Sequence, residues 1–357
     1  MSNYISQNPY ENIDEKGFWK TGVANTSPLA LKNIYTKKWK LNANDQIATA
    51  GSCFAQHISY HLSKNNFNIL DVELAPDVLP KEKHHKFGYS MYSARYGNIY
   101  TVRQLLQLAQ EIAGEYEPQE IIWKKDNQYY DALRPNIEPQ GLTSIKEVEL
   151  HRQYHLKQVK QLFLEMDVFI YTLGLTEAWV HKKSGTVYPI APGIIAGQFD
   201  DEQYVFKNFE FEEIITDFKQ FIQTIGHFRA DNKPPKIILT VSPVPLTATA
   251  SGQHILQANM YSKAILRAVA GYLTKHFSYI DYFPSFEIIT NPAARGIYYA
   301  NNLRSITNEG VEIVMKAFFN QHQKQTLKTK SNNKEVEVDL IENDIECEEA
   351  ILEAFGK

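Results

Sequence analysis

The sequence predicts an α/β fold with a mostly parallel sheet, because strands and helices alternate along it and several strands read as fully buried. Residues 47–50 form a short apolar run, a helix follows to Lys64, and residues 67–72 read as a second strand. Ile58 and Leu62 give that helix an inward-facing stripe. A strand, a helix and a strand of these lengths form a βαβ unit, whose two strands are parallel.

Further strands and helices continue this alternation. Val168–Leu173 and Lys236–Val241 are apolar runs, which is typical of strands that helices cover on both faces. Residues 278–281 read as the last parallel strand. Helices are predicted over residues 101–113, 144–165, 211–225, 256–275 and 309–319.

Two loop-rich stretches interrupt the pattern, near residues 115–142 and 180–208, and we interpret both as insertions. The first is expected to contain a hairpin at residues 123–130. Residues 1–45 are predicted to be an irregular N-terminal arm packed on the body. The candidate anchors of this arm are the aromatic residues Phe18, Trp19 and Trp39.

The composition changes after Gln321. Residues 324–334 are basic and polar, and residues 335–349 are strongly acidic. Segments of this kind have too little apolar surface to fold by themselves. The sequence therefore predicts a core domain over residues 46–321 and a charged linker with an acidic tail over residues 322–357, where a protein partner would dock.

The overall composition is that of an ordinary globular protein. Of the 357 residues, 43% are hydrophobic and 22% are charged, which allows a sizeable core. The net charge of -4 argues against a nucleic-acid partner. The two cysteines, Cys53 and Cys347, give neither a disulfide framework nor zinc-ligand spacing. Because residues 1–20 lack a signal-peptide pattern and no stretch is long enough to span a membrane, we expect a cytoplasmic protein.

The turn at Gly51 and Ser52 is the leading candidate for a site of chemistry. It follows the strand at residues 47–50, so it lies at the carboxyl edge of the sheet, where α/β proteins bind ligands. The helix that starts here offers N–H groups to a developing anion, and Gly51 permits a close backbone approach. One alternative is that Ser52 only caps the helix. Another places the nucleophile at Cys53, since a thiol at a helix start has a lowered pKa.

Residues 51–55 read Gly-Ser-Cys-Phe-Ala, and further blocks follow in order at residues 95–101, 172–179, 240–245 and 261–264. This ordered set resembles the GSCFA-domain family, an outlying branch of the SGNH/GDSL hydrolase superfamily. The resemblance implies a flavodoxin-like three-layer α/β/α sandwich. It also implies esterase or acyl-transfer chemistry, commonly on acylated glycans or lipids.

The resemblance implies roles for single residues as well. Ser52 matches the nucleophile, and its backbone N–H would join the oxyanion hole. Gly97 matches the glycine that supplies a second N–H, and Asn98 lies beside it as a side-chain donor. Thr176 stands where the superfamily has an asparagine, so its hydroxyl would complete the hole. One such donor is typically worth about 3 kcal/mol.

The catalytic base is where the sequence departs from the superfamily. The expected Asp-x-x-His is replaced by Asn-Leu-Arg-Ser at residues 302–305, and a serine needs an adjacent base to attack at neutral pH. His254 is the first candidate, because its loop follows the strand Lys236–Val241 and so lies at the same edge as Ser52. The alternative is that His254 is a solvated loop residue.

Other histidines are weaker candidates. His181 is second, at the end of the third block. His57 is expected to face neighbouring helical turns, and His84 and His85, in a lysine-rich loop, are expected to be solvated.

Glu177 is the candidate acid, because it follows the central strand and would orient His254 or act through water. Its alternative role is a structural carboxylate that binds loop N–H groups. Asp281 and Glu287 are the runners-up. Arg304 would bind a phosphate, a carboxylate or a sugar, or would pair with Glu309 on the surface.

These observations predict a serine-dependent O-acyl esterase or acyltransferase of SGNH type that acts on an acylated sugar or polysaccharide precursor. The substrate would be a small-molecule or glycan ester, and the chemistry requires no metal and no organic cofactor. The alternative is a non-catalytic glycan-binding or assembly protein on a degenerate hydrolase fold, as the missing Asp-x-x-His suggests.

Overall fold

The computed structural model describes residues 8–322 and 348–356. In this part of the chain nine strands and seven α-helices follow one another, in the order β1 (Ile47–Gly51), α1 (Phe54–Lys64), α2 (Val102–Ala113), β2 (Ile122–Lys125), β3 (Gln128–Asp131), α3 (Ile145–Glu165), β4 (Val168–Leu173), β5 (Glu177–His181), β6 (Val187–Tyr188), β7 (Tyr204–Asn208), α4 (Phe211–Phe228), β8 (Lys236–Val241), α5 (Ile255–His276), β9 (Ile280–Tyr282), α6 (Ser285–Thr290) and α7 (Asn308–His322).

Four strands form the central sheet, in the order β1-β4-β8-β9, and every neighbouring pair is parallel. The strands β4 and β8 have the bounds that their apolar runs predict. The strand β9 begins two residues later than expected, at Ile280. The predicted parallel sheet is therefore confirmed.

The strand predicted at residues 67–72 is reduced to a single bridge. Only Ile69 pairs with β1, in parallel with Ile47. Further along β1 a loop takes the place of this strand: Thr49 N–H donates to Ser93 Oγ at 2.9 Å. With this bridge on the outer side of β1, the sheet has the strand order of a flavodoxin-like fold.

Helices cover both faces of the sheet. The core on one face is formed with α2, α3, α4 and α5, and the core on the other face with α1, α6 and α7. Successive strand residues point to opposite faces, so Phe169 belongs to the first core and Ile170 to the second. This arrangement confirms the three-layer α/β/α prediction.

Helix starts follow the predicted capping residues. Thr101 and Gln104 form a capping box at the start of α2. At the start of α3 the Ser144 hydroxyl accepts from Glu147 N–H at 3.2 Å. The helix α6 was not predicted, because its six residues are too few for a helical pattern to stand out in the sequence.

Both insertions form small antiparallel sheets. The strands β2 and β3 pair as the predicted hairpin, and β5 lies between β6 and β7 in a second sheet. Trp123, Tyr188 and Tyr204 pack together, with neighbouring ring centroids 5.3 and 5.7 Å apart. We call these three rings the aromatic cluster; it joins the two insertions to each other.

The N-terminal arm is held mainly by a residue that was not predicted. Phe18 and Trp19 are 40% and 66% exposed, so the prediction that they anchor the arm is wrong. Trp39 packs partly buried against the core of the second face. The main anchor is Tyr35, whose buried hydroxyl donates to Asp281 Oδ2 at 2.9 Å.

Most of the predicted linker and tail, residues 323–347, lies outside the described residues. Beyond it, Glu348–Phe355 form a 3-10 helix. Leu352 in this helix packs against the aromatic cluster, and Glu353 Oε1 lies 4.0 Å from Arg304 Nη1. Of the helices described, none has the length and apolar character to cross a membrane.

Candidate active site

The carboxyl ends of β1 and β4 meet at the topological switch point of the sheet. From β1 the chain goes to the bridge at Ile69 on one side, and it returns to β4 on the other side. In open α/β sheets this divergence opens a crevice outside the strand ends, where ligands bind. Ser52 follows β1 and Gly174 follows β4, so both lie at this point.

Ser52 is 3% exposed, and its side chain is not used by the fold. The hydroxyl has no hydrogen-bond partner among the described residues. It therefore does not cap α1, whose N-cap residue is Cys53. The backbone N–H of Ser52 donates to Thr172 O at 3.2 Å and continues the β1–β4 ladder. In this arrangement the N–H is already bonded, so it is not available to an oxyanion hole.

Gly51 makes the turn possible. Its φ of +133° lies in a region that L side chains rarely adopt. A Cβ at this position would also clash with the carbonyl group of Thr172 on β4. The close approach of the two strand ends therefore requires a glycine before Ser52.

The second block is hydrogen-bonded to the ends of both β1 and β4. Ile99 N–H donates to Gly51 O at 3.0 Å, and Gly174 N–H donates to Tyr100 O at 3.2 Å. Gly97, buried in this loop with a φ of +66°, lies two residues before Ile99. These bonds hold the second block against both strand ends.

Several donors in the second block are not engaged. The buried N–H groups of Gly97 and Asn98 donate to no other described residue. Asn98 Oδ1 accepts from Tyr92 OH, which in turn accepts from Gln56 Nε2 at 3.1 Å. Because the oxygen of the Asn98 amide is bound, its Nδ2 is the group left to donate.

The third block touches Ser52 directly. A Cβ built on Gly174 would lie 3.0 Å from Ser52 Cβ and 3.1 Å from Tyr100 O. Thr176, two residues further on, is fully buried, and its N–H donates to Ser262 Oγ at 3.1 Å. The Thr176 hydroxyl has no partner within the described part of the chain.

Lys263 is the residue at this site that the sequence analysis missed. It is 2% exposed, and its Nζ donates to Gly174 O at 2.8 Å. It lies on the inner face of α5, together with Leu266 and Ala270. A lysine in a mostly apolar stripe was the available signal, since lysine is almost never fully buried without a partner.

A family model shows what this chain is related to. The model of the GSCFA family matches residues 46–318, well over half of the chain. The chain belongs to the GSCFA family. A search of curated proteins and a search of solved structures each found no match. We refer to residues 46–318 below as the GSCFA domain.

The structure does not place His254 as the base of the GSCFA domain. This exposed residue caps α5, and its Nδ1 accepts from Leu256 N–H at 3.2 Å. No hydrogen bond joins it to Ser52 or Glu177. The expectation was based on the edge of the sheet alone, whereas the loop before α5 directs the ring into a helix cap.

The other histidines are also occupied away from Ser52. His181 Nδ1 lies 2.8 Å from Ser184 Oγ, and His84 Nε2 lies 3.1 Å from Leu79 O. His57 and His85 line a surface cleft between α1 and α7. Since the Ser52 hydroxyl has no described partner, no described histidine is hydrogen-bonded to it.

Glu177 begins β5 and is 9% exposed. Its Oε1 accepts from Thr249 Oγ1 at 2.9 Å, so it holds the loop that follows β8. The partner in this contact is a loop hydroxyl, whereas the structural alternative expected loop N–H groups, and it is not His254.

The two runner-up carboxylates have partners elsewhere. Asp281 accepts from the hydroxyl of Tyr35 and holds the arm. Glu287 binds Arg267 and the hydroxyl of Tyr282.

Arg304 lies in the loop that replaces the Asp-x-x-His block. Its Nε donates to Pro245 O at 3.2 Å, which joins this loop to the one after β8. The described carboxylate nearest to its guanidinium is that of Glu353 rather than the predicted Glu309.

Cys53 is 4% exposed and disulfide-bonded, so it presents no thiolate beside Ser52 in this state. In residues 8–322 and 348–356 there is no group of three or more His, Cys, Asp or Glu that could hold a metal ion.

A buried ionic network supports the second block from behind. Glu73 Oε2 accepts from Arg95 N–H at 2.6 Å, and Arg134 Nη1 donates to Arg95 O at 3.1 Å. The backbone of Arg95 is thus held on both sides, two residues before Gly97. The sequence did not reveal this network, because its members are scattered along the chain.

The same network contains a neutral histidine. His155 Nδ1 lies 2.7 Å from Glu73 Oε2. Burial, with a smaller contribution from the charge of Arg134, lowers the pKa of His155 to about 4. At neutral pH the Nδ1 therefore carries the proton that Glu73 accepts, and Nε2 is unprotonated.

Proposed function

We propose that the GSCFA domain is a serine-dependent O-acyl esterase or acyltransferase of SGNH type, acting on an acylated sugar or polysaccharide precursor. The observation that carries this proposal is the buried, unpartnered hydroxyl of Ser52 at the switch point of the sheet. A buried polar group without a partner is uncommon and calls for an explanation. A nucleophile held for a substrate provides one.

The neighbouring donors support acyl transfer in particular. Attack by Ser52 on an ester would convert the carbonyl oxygen into an oxyanion, which needs donors that are already in position. The N–H groups of Gly97 and Asn98 are buried and unengaged, and Asn98 Nδ2 has its orientation set by Tyr92. In this proposal these groups and the Thr176 hydroxyl form the oxyanion hole, without the N–H of Ser52.

Placement in the SGNH superfamily rests on two supports. The nucleophile follows the first strand of a sheet with flavodoxin-like order, and the blocks after β1, β4 and β8 come together at one edge. A sugar ester as substrate is supported by the polar side chains there, among them Asn98, Thr176 and Arg304. Arg304 would contact a polar or acidic group of the substrate.

A fluorophosphonate probe tests the proposal. We expect the probe to label the full-length protein at Ser52, as mapped by mass spectrometry, and Ser52→Ala to abolish labelling. Ser59→Ala is the matched control, since Ser59 is also a buried serine but lies inside α1. Absence of labelling in protein that melts cooperatively would refute a serine enzyme.

A non-catalytic glycan-binding or assembly protein is the second candidate, and one observation favours it. No described histidine is hydrogen-bonded to Ser52, and the Asp-x-x-His block is absent. In that case Ser52→Ala would leave glycan binding on an acylated polysaccharide array unchanged while no probe labelling occurs in the wild type. Labelling at Ser52 would exclude this candidate.

A further inference from the structure

We propose that Lys263 is the general base that activates Ser52; the inference rests on the proposed serine chemistry. Burial is the first observation. The side chain is 2% exposed and lies on the inner face of α5. Burying an ammonium group is costly unless it is hydrogen-bonded or paired, and here Nζ donates to the carbonyl of Gly174. The role of base requires the neutral amine, because that is the form that accepts a proton.

Position is the second observation. Lys263 Nζ lies 2.8 Å from Gly174 O, and the α-carbon of Gly174 faces Ser52, with a built Cβ only 3.0 Å from Ser52 Cβ. One glycine therefore separates the amine from the serine. In this structure Nζ is not hydrogen-bonded to the Ser52 hydroxyl; the proposal requires the long, flexible lysine stem to carry Nζ from the Gly174 carbonyl to that hydroxyl.

The support of this arrangement is the third observation. Ser262 Oγ accepts from Thr176 N–H at 3.1 Å, so consecutive residues of α5 bind the turn at residues 174–176. This double attachment fixes the third turn of α5 relative to the third block. The Lys263 stem is consequently directed at the end of β4 and not at solvent.

The proton and electron movements balance with these groups alone. The Ser52 proton passes to the lone pair of Lys263 Nζ as Oγ bonds to the ester carbon, and the carbonyl π electrons move to the oxygen. The oxyanion then faces the N–H groups of Gly97 and Asn98. As the carbonyl re-forms, the ester C–O bond breaks and the ammonium of Lys263 protonates the leaving alkoxide. Water or an acceptor hydroxyl removes the acyl group from Ser52 by the same steps.

The alternative for Lys263 is a structural one, in which it only holds the Gly174 carbonyl. Lys263→Arg separates the two roles, since arginine can still donate to Gly174 O but does not give up a proton near neutral pH. Lys263→Met removes both roles. We expect both variants to react with the fluorophosphonate at least about 100-fold more slowly than the wild type.

Two further variants complete the test. Lys38→Met is the matched control, because Lys38 Nζ also holds a backbone carbonyl, Ile280 O at 2.8 Å, but away from Ser52; its labelling rate should equal that of the wild type. Ser262→Ala loosens the same turn and keeps the amine, so it should slow labelling by less than about 10-fold. It also remains informative if the Lys263 variants do not fold.

The outcomes distinguish this inference from the proposed function. If wild-type Ser52 is never labelled, the serine chemistry itself is wrong. If Ser52 is labelled and Lys263→Arg reacts at the wild-type rate, Lys263 is structural and only this inference fails. A rate for Ser262→Ala that is reduced 100-fold or more would likewise indicate that geometry of the turn, and not the amine, controls the reaction.

Discussion

Gly51 precedes Ser52 and Gly174 packs against its side chain, and a Cβ is unfavourable at each for a different physical reason. Gly51 has a φ of +133°, and it has no room for a Cβ next to Thr172. Gly174 has an ordinary negative φ, so only space limits it. Gly174 is therefore the better residue for testing the site, because its backbone tolerates an added methyl group.

We expect Gly174→Ala to slow fluorophosphonate labelling of Ser52 about 10- to 100-fold, because the new Cβ lies 3.0 Å from Ser52 Cβ and displaces the hydroxyl. Crowding should destabilise the fold by about 1–2 kcal/mol, measured by urea unfolding.

Gly271→Ala is the control for this change. Gly271 is inside α5, and a Cβ there meets only the flexible Arg267 side chain, at 3.1 Å. The substitution should stabilise the helix by up to about 1 kcal/mol and leave the labelling rate unaltered. A wild-type rate in Gly174→Ala would show that the contact with Ser52 is unimportant.

At the scale of elements, α5 carries two residues with opposite exposure. His254 caps its first turn from outside, and Lys263 lies on its buried face more than two turns later. Sequence reasoning selected the first and missed the second. Its place in a loop after β8 indicated that His254 lies near the carboxyl edge of the sheet. The direction of its ring, however, depends on the path of that loop, which tertiary contacts determine. Whether Lys263 is buried depends on which face of α5 packs against the sheet. The apolar residues that surround Lys263 in the sequence do predict that face.

We expect His254→Ala to lower the free energy of unfolding by about 0.5–1 kcal/mol, since it removes the N-cap of α5. Its rate of probe labelling should remain within twofold of the wild type. His254→Asn should restore the stability, because asparagine is a good cap. Slow labelling in both variants, with intact folding, would indicate that His254 is the catalytic base.

At the scale of the whole molecule, two buried neutral histidines connect distant parts of the chain. His155 joins α3 to Glu73, and His322, at the end of α7, lies 2.9 Å from the Tyr35 hydroxyl of the arm. Burial is the main reason that the pKa of each is lowered to about 4, with positive neighbours adding to it. Protonation of either ring is therefore unfavourable in the folded state.

Stability should consequently fall as the pH is lowered from about 6.5 to about 4. In this range the unfolded chain binds more protons than the folded one, so acid favours unfolding. Each histidine should contribute about 2–3 kcal/mol to the loss.

Urea unfolding at pH 7.5 and pH 4.5 measures this effect. His155→Gln should reduce the difference between the two pH values by about the contribution of one histidine, and His322→Gln should do the same independently. A pH dependence that is unchanged in both variants would mean that these rings are not buried as neutral groups.

The fold was more predictable than the site. Apolar runs predicted the bounds of β4 and β8 correctly, because a strand that is buried on both faces consists almost entirely of apolar residues. The position of the Ser52 turn was predictable for a related reason. It follows a buried strand, and the carboxyl ends of parallel strands lie at one edge of the sheet. The network of Glu73, Arg95 and Arg134 was not, because charged residues carry no periodic signal and their partners are far apart in the chain.

The ladder bond of Ser52 has a consequence for timing. Its N–H is fixed to Thr172 O, and its carbonyl oxygen accepts from Ala55 N–H at 2.8 Å, so the backbone cannot swing. With the backbone held, Oγ moves by rotation about the Cα–Cβ bond, among three staggered rotamers, and the hydroxyl hydrogen turns about the Cβ–Oγ bond. Such rotations take picoseconds to nanoseconds. If Ser52 is the proposed nucleophile, its resting and attacking positions therefore differ only in side-chain torsion angles, and its preparation requires no loop or domain movement.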